Sequence, residues 1–126
     1  MTAYEILEIA FALAGEKIDE FPDKRIALMW LNVIIVEAMP AENTLREKSG
    51  LGRVVLPKMM TDLTQVVNMD EQLCRLCLPL GIAAFLCEDR ENYYMAETFR
   101  QRFTDAMQTT AGARERSVTD CYGGEL

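Results

Sequence analysis

Cys74 and Cys77 stand at C-x-x-C spacing, with Cys87 and Cys121 elsewhere in the chain and no histidine anywhere. Such a pair does redox chemistry when it opens a helix after a strand, where the first thiol is lowered toward thiolate. Here it lies well inside an apolar helical run. A structural zinc site needs a second pair of ligands, which the separate Cys87 and Cys121 do not supply. The expected role of Cys74, Cys77 and Cys87 is therefore that of small core residues, with no metal and no cofactor. A thiol or zinc protein using these cysteines is the more distant alternative.

Other chemistry is similarly thin. Without histidine the chain lacks the commonest general base and a common metal ligand. The carboxylate pairs Glu5/Glu8 and Glu88/Asp89 fall at helix ends or on polar faces, where solvated charge is the ordinary state. Gly50-Leu51-Gly52 lacks the third glycine and the strand–helix frame of a phosphate loop. Trp30 sits in an apolar run and reads as core. Tyr93-Tyr94 reads either as an interface anchor or as the edge of the core. No active site assembles from these residues, and the expectation is a protein that is not an enzyme.

The elements that would carry these residues are helical. Residues 70–89, DEQLCRLCLPLGIAAFLCED, hold a single charge between Leu73 and Cys87, at Arg75. A helix apolar nearly all round belongs in an interior. It is too short for a bilayer, which takes about 20 apolar residues. Asn68 or Asp70 would cap it, and Pro79 with Gly81 should kink it.

Ahead of it, Thr2 and Glu5 fit a capping box. Ile6, Leu7, Ile9, Ala10, Leu13 and Ala14 mark a first helix that Gly15 stops. A second helix is expected from Pro22 to Pro40, interrupted only by Asn32 and Glu37 between Ile26 and Met39. Residues 41–52 read as a polar loop, and residues 53–56 as a short strand or extended arm. Residues 57–69 are irregular and should lie across a surface, their own or a neighbour's. Asn92 caps a fourth, amphipathic helix to about Thr110, with Ala96, Phe99, Phe103, Ala106 and Met107 on its apolar face. The expected fold is thus all-α, a small bundle of about four helices with a kinked centre and an extended middle segment. It occupies residues 1–110, and residues 111–126 are expected to form a flexible tail.

The chain has 126 residues, half of them hydrophobic, and a net charge of −7. That suits one domain with one core. It does not suit sequence-specific nucleic-acid binding, because phosphate backbones are held by clustered Lys and Arg. Arg100, Arg102, Arg114 and Arg116 are interleaved with Glu97, Asp105 and Glu115 and read as a solvated mixed face. No secretory signal or spanning segment is expected, so the chain should be made in a cytosol. Two nearly all-apolar helices in so short a chain leave surplus apolar surface, as in an oligomer subunit. The interface candidates are Arg53, Val54, Val55, Leu56, Met59, Met60 and Leu63 in the extended segment, Tyr93 and Tyr94, and Val118 and Tyr122 in the tail.

Residues 62–107 carry a composite pattern. TDLTQVV leads into a helix with L-P-x-G-I-A-A-x-L (Leu78, Pro79, Gly81, Ile82, Ala83, Ala84 and Leu86). An acidic turn at Glu88 and Asp89 and an A-x-x-F-x-x-x-F helix (Ala96, Phe99 and Phe103) follow. This pattern, with the helix ending in L-A-G-E near the start, resembles the head–tail connector (adaptor) proteins of tailed bacteriophages. Leu80 stands where such proteins commonly carry tyrosine, and residues 41–58 lie outside the pattern. The resemblance implies a helical subunit of a ring in the phage or prophage virion, made in the bacterial cytoplasm. That ring joins the portal to tail or stopper proteins and extends the DNA channel. The alternative is a bacterial helical interaction module, such as a regulator or a toxin-neutralising partner.

Overall fold

The computed structural model describes the backbone of residues 1–123 and the side chains of residues 1–112. The fold is all-α. Helix α1 spans Ala3–Leu13, and all four of its orphan N–H groups are accounted for. The Ala3 and Tyr4 amides donate to the carbonyls of Gln65 and Leu63, at 2.8 and 2.9 Å. The Glu5 amide donates to Thr2 Oγ1, while the Ile6 amide makes the first intrahelical bond, to the Thr2 carbonyl. Glu5 Oε1 in turn accepts from the Thr2 amide, completing the capping box. Two of these four partners come from residues 63–65, so the extended middle segment belongs to the fold of the N-terminus.

Helix α2 spans Lys24–Lys48 and departs from expectation at both ends. Its cap is Asp23, whose carboxylate accepts from the Arg25 amide at 3.0 Å. Pro22 lies outside it. At the other end the helix does not stop at Pro40 but continues for two further turns. A proline within a helix removes one backbone donor and costs about 3 kcal/mol. Beyond it, however, Glu42, Asn43 and Leu45 are all buried, and the apolar burial and hydrogen bonds gained there outweigh the local cost. Residues 41–48 are therefore helix rather than loop.

Before α3 the backbone makes a π turn over Leu73–Cys77, and α3 proper spans Leu78–Asp89. Asp70 caps the start, accepting from the Gln72 amide. Pro79 falls in the first turn of α3. The Leu78 amide reaches back five residues to the Leu73 carbonyl, so the wide turn absorbs the bond that Pro79 cannot make. Gly81 has a different task from bending the helix. A Cβ there would lie 2.6 Å from Ile34 Cδ1, so the missing side chain lets α3 press against α2. Helix α3 packs on α1, α2 and α4 together, and Leu78, Ile82, Ala83 and Leu86 are wholly buried.

Helix α4 spans Tyr93–Gly123. Asn92 Oδ1 accepts from the Met95 amide at its start, and Ala96, Phe99 and Phe103 are buried. It continues past Thr110, where the sequence suggested an end. Ala111, Ala113, Arg114 and Arg116 are good helix formers, and only Gly112 opposes them. Helices α1, α2 and α3 close with the same pair of backbone bonds, from C″ to C3 and from C′ to C2. Glycine occupies the left-handed position after α1 and α2, but after α3 it is Glu91, at φ 60°.

Among the described residues there is no strand, only a bridge between Thr2 and Val66. Residues 53–56 form no strand, and the chain bends at Val55 and Leu56.

Candidate interaction surface

Two asparagines on α2 hold the middle of the chain. Asn43 Oδ1 accepts from the Val54 amide at 2.8 Å while its Nδ2 donates to the Val54 carbonyl at 3.0 Å. Asn32 does the same for Met60, at 2.7 and 2.9 Å. The two asparagines are about three turns apart and so share a face. Each satisfies both polar groups of one residue's backbone, as a neighbouring strand would. The result is an arm, residues 54–60, stretched along α2.

The arm turns little of itself inward. Met60 is buried in the core, and Val54 is half-buried against it. Val55 and Leu56 are 96% and 86% exposed, and Met59 is exposed as well. Arg53 is exposed and pairs with Glu47 at 3.3 Å. Leu63 is half-buried beneath α1, and its carbonyl serves the Tyr4 amide. Tyr93 and Tyr94 are exposed at the opposite end of the sequence pattern, on the first turn of α4. The side chains of Val118 and Tyr122 lie outside the described residues. Of the expected interface residues, the structure thus brings Val55, Leu56 and Met59 together at the surface, sets Tyr93 and Tyr94 apart, and gives Met60 to the core.

Helix α2 adds a surface that the sequence reading did not single out. Between Ile26 and Pro40 every exposed position is apolar: Ile26, Met29, Val33, Val36 and Pro40. Met29 and Val36 are 64% and 59% exposed. The flank toward α4 is closed by the pair Glu37–Arg100, at 2.9 Å, with the Arg100 guanidinium over the rings of Phe85 and Phe103. Trp30 stacks on Phe85 beneath it. The spacing of these apolar positions was legible in the sequence, but which face the bundle would leave uncovered was not.

The residues with chemical potential are turned inward or paired. Cys74, Cys77 and Cys87 are free, buried thiols. Desolvation pushes the Cys74 thiol up to about 11 and also raises those of Cys77 and Cys87. A thiol so placed stays protonated and is a poor nucleophile or ligand. Cys77 Sγ lies 3.6 Å from Thr110 Oγ1, whereas Cys74 faces the carbonyls of Val67 and Met69. Among the described residues, no group of three Cys, Asp or Glu side chains is set to hold a metal ion.

Glu42, which the sequence reading passed over, is the one buried carboxylate among the described residues. Its Oε1 accepts from the Asp70 amide at 2.8 Å, and Arg46 lies 3.7 Å from Oε2. It ties the end of α2 to the start of the π turn and lines a shallow groove of about 220 Å³ with Leu45, Arg46, Met69 and Asp70. At the other end of the bundle Arg90 clamps Glu16 through two bonds, at 3.0 and 2.7 Å, which hold the Glu16 carboxyl below its usual range.

No protein-family model, curated protein or solved structure matches the chain.

Proposed function

We propose that this chain is a non-enzymatic structural subunit of a tailed-phage or prophage particle, one of a head–tail connector ring joining the portal to tail or stopper proteins. The observation that carries the reading is the arm. Two asparagine clamps fix its backbone while Val55, Leu56 and Met59 are held out in water. A chain that orders a segment without burying its apolar side chains has prepared it for a partner, because pre-organisation lowers the entropic cost of binding. The net charge of −7 suits a wall past which DNA must slide without being gripped. In this reading the protein acts at the head–tail junction of the virion and lines a passage for DNA without binding it in a sequence-specific way.

The test is electron microscopy and size-exclusion chromatography of the purified protein, alone and with the portal of the same genome. Rings, or a complex with the portal, are expected. A Val55→Asp/Leu56→Asp double variant should leave the helical content intact and weaken assembly at least about tenfold. A chain that joins neither ring nor portal overturns the reading and leaves a helical interaction module in its place.

A further inference from the structure

The exposed face of α2 is a second apolar surface, distinct from the arm's own backbone contacts. Its residues, Ile26, Met29, Val33, Val36 and Pro40, follow one another at steps of three, four, three and four. That is the a/d spacing with which one helix seats against another at a shallow crossing angle. Each of these residues is exposed, and no polar side chain stands among them on that face. A lone helix face of a monomer would carry charge here; this one carries none over four turns.

We infer that this face is a self-association surface, on which α2 of a second copy of the chain packs. Three observations point to a second copy. The stripe is like with like: it offers no charge that would select an unlike partner, and an apolar a/d seam is complementary to itself. Its midpoint, Val33, is flanked by two seam residues on either side, so a two-fold axis near Val33 covers the whole stripe. Its extent also fits. Asn32 and Asn43 lie within about 40° of Val36 round the helix, so the arm they hold borders the stripe. With Val55, Leu56 and Met59 included, the exposed apolar area is on the order of 800 Å², which is what each partner contributes to an interface of standard size.

A bilayer is the competing occupant. Helix α2 is long and apolar enough to cross one, but half of it is buried in the bundle. The net charge of −7 also opposes an anionic lipid surface. The inference shares the arm with the connector reading but differs from it in symmetry, since a head-to-tail ring closes through unlike surfaces and this contact joins like ones.

Sedimentation of the full chain at on the order of 100 µM tests it. The wild type is expected to sediment as a dimer. Val33→Glu and Val33→Lys should each raise the dissociation constant at least about tenfold with unchanged circular dichroism. An equimolar mixture of the two should restore the dimer, because the substituted residues face each other across the axis. If either variant loses helix, Met29→Glu and Met29→Lys repeat the experiment. A monomeric wild type, a dimer indifferent to Val33→Glu, or a mixture that fails to recover overturns the inference. So does a ring that survives Val33→Glu, an outcome that would support the connector reading. Flotation with phosphatidylcholine–phosphatidylglycerol vesicles completes the test: binding by wild type that Val33→Glu abolishes would assign the stripe to lipid.

Discussion

The run Ile26–Met39 of α2 and helix α3 each hold only two polar side chains, yet the bundle treats them in opposite ways. Helix α3 is covered on every side, by α1, α2 and α4. Gly81, Ala83 and Ala84 let its neighbours come close, with Ile34 filling the space over Gly81. Helix α2 lies at the rim, gives its Leu28, Leu31, Ile34 and Ile35 side to the core, and leaves Met29, Val33 and Val36 in water. A bundle of four helices can surround one helix of this kind with the other three, but not two. Hydrophobic content therefore says how much surface must be covered, while topology decides which of it the chain covers by itself.

The sharpest way to break that contrast is to cut the same kind of side chain from each helix. Ile82→Ala on α3 is expected to cost about 2–5 kcal/mol in chemical denaturation, from lost burial and the cavity left behind. Val36→Ala on α2, measured in dilute protein, should stay within about 0.5 kcal/mol. Equal losses would mean that the face of α2 is covered within the monomer.

The contact between the two helices comes next. Gly81→Ala should cost about 1–3 kcal/mol, because the new methyl meets Ile34. Ile34→Val in the same chain removes the atom nearest that methyl, and should return part of the loss. Without such recovery, the close approach at Gly81 would not be what holds α2 to α3.

Burial at the π turn leading into α3 can be read by titration. The Cys74 thiol is raised from 9.0 to about 11, chiefly by desolvation. Its contribution is fully present below the unfolded value and is lost as pH rises through the folded one, since the unfolded chain then binds fewer protons. Between pH 9 and 11 stability should fall by on the order of 2 kcal/mol more in wild type than in Cys74→Ala. Parallel curves for the two proteins would count against a desolvated Cys74.

The smallest effect separates the two helices by how they end. Helix α2 closes on Gly50 at φ 78°, α3 on Glu91 at φ 60°. A side chain in the left-handed region costs roughly 1 kcal/mol. Glu91→Gly is therefore expected to raise stability by about that amount, where Gly50→Ala should lower it. A thermal melt of each variant decides this.

Much of this arrangement is written locally. Thr2 and Glu5, Gly15, Asp70 and Asn92 act within a few residues of themselves, and each sits where its chemistry suggests. The continuation of α2 through Pro40 is not local, because it depends on Glu42, Asn43 and Leu45 finding partners at Asp70, Val54 and the core. The π turn has no pattern of its own and follows from fitting Pro79 into a buried helix. Of the candidate surface, the arm was legible as an apolar segment without a partner. Its fixation was not, since Asn32 looks like an interruption in an apolar run until Met60 is seen beside it. Two asparagines at a spacing that returns to the same helix face were the available signal.

Those two amides also act as a ruler. Their anchor points on α2 lie about 16 Å apart, and the six-residue step from Val54 to Met60 reaches about 20 Å when fully extended. Removing two residues would leave about 14 Å of reach, too short to keep both ends in place, whereas side chains between the clamps can change without touching either one. For the fold, the arm is therefore constrained in length, and its side chains between the clamps are left to whatever it binds.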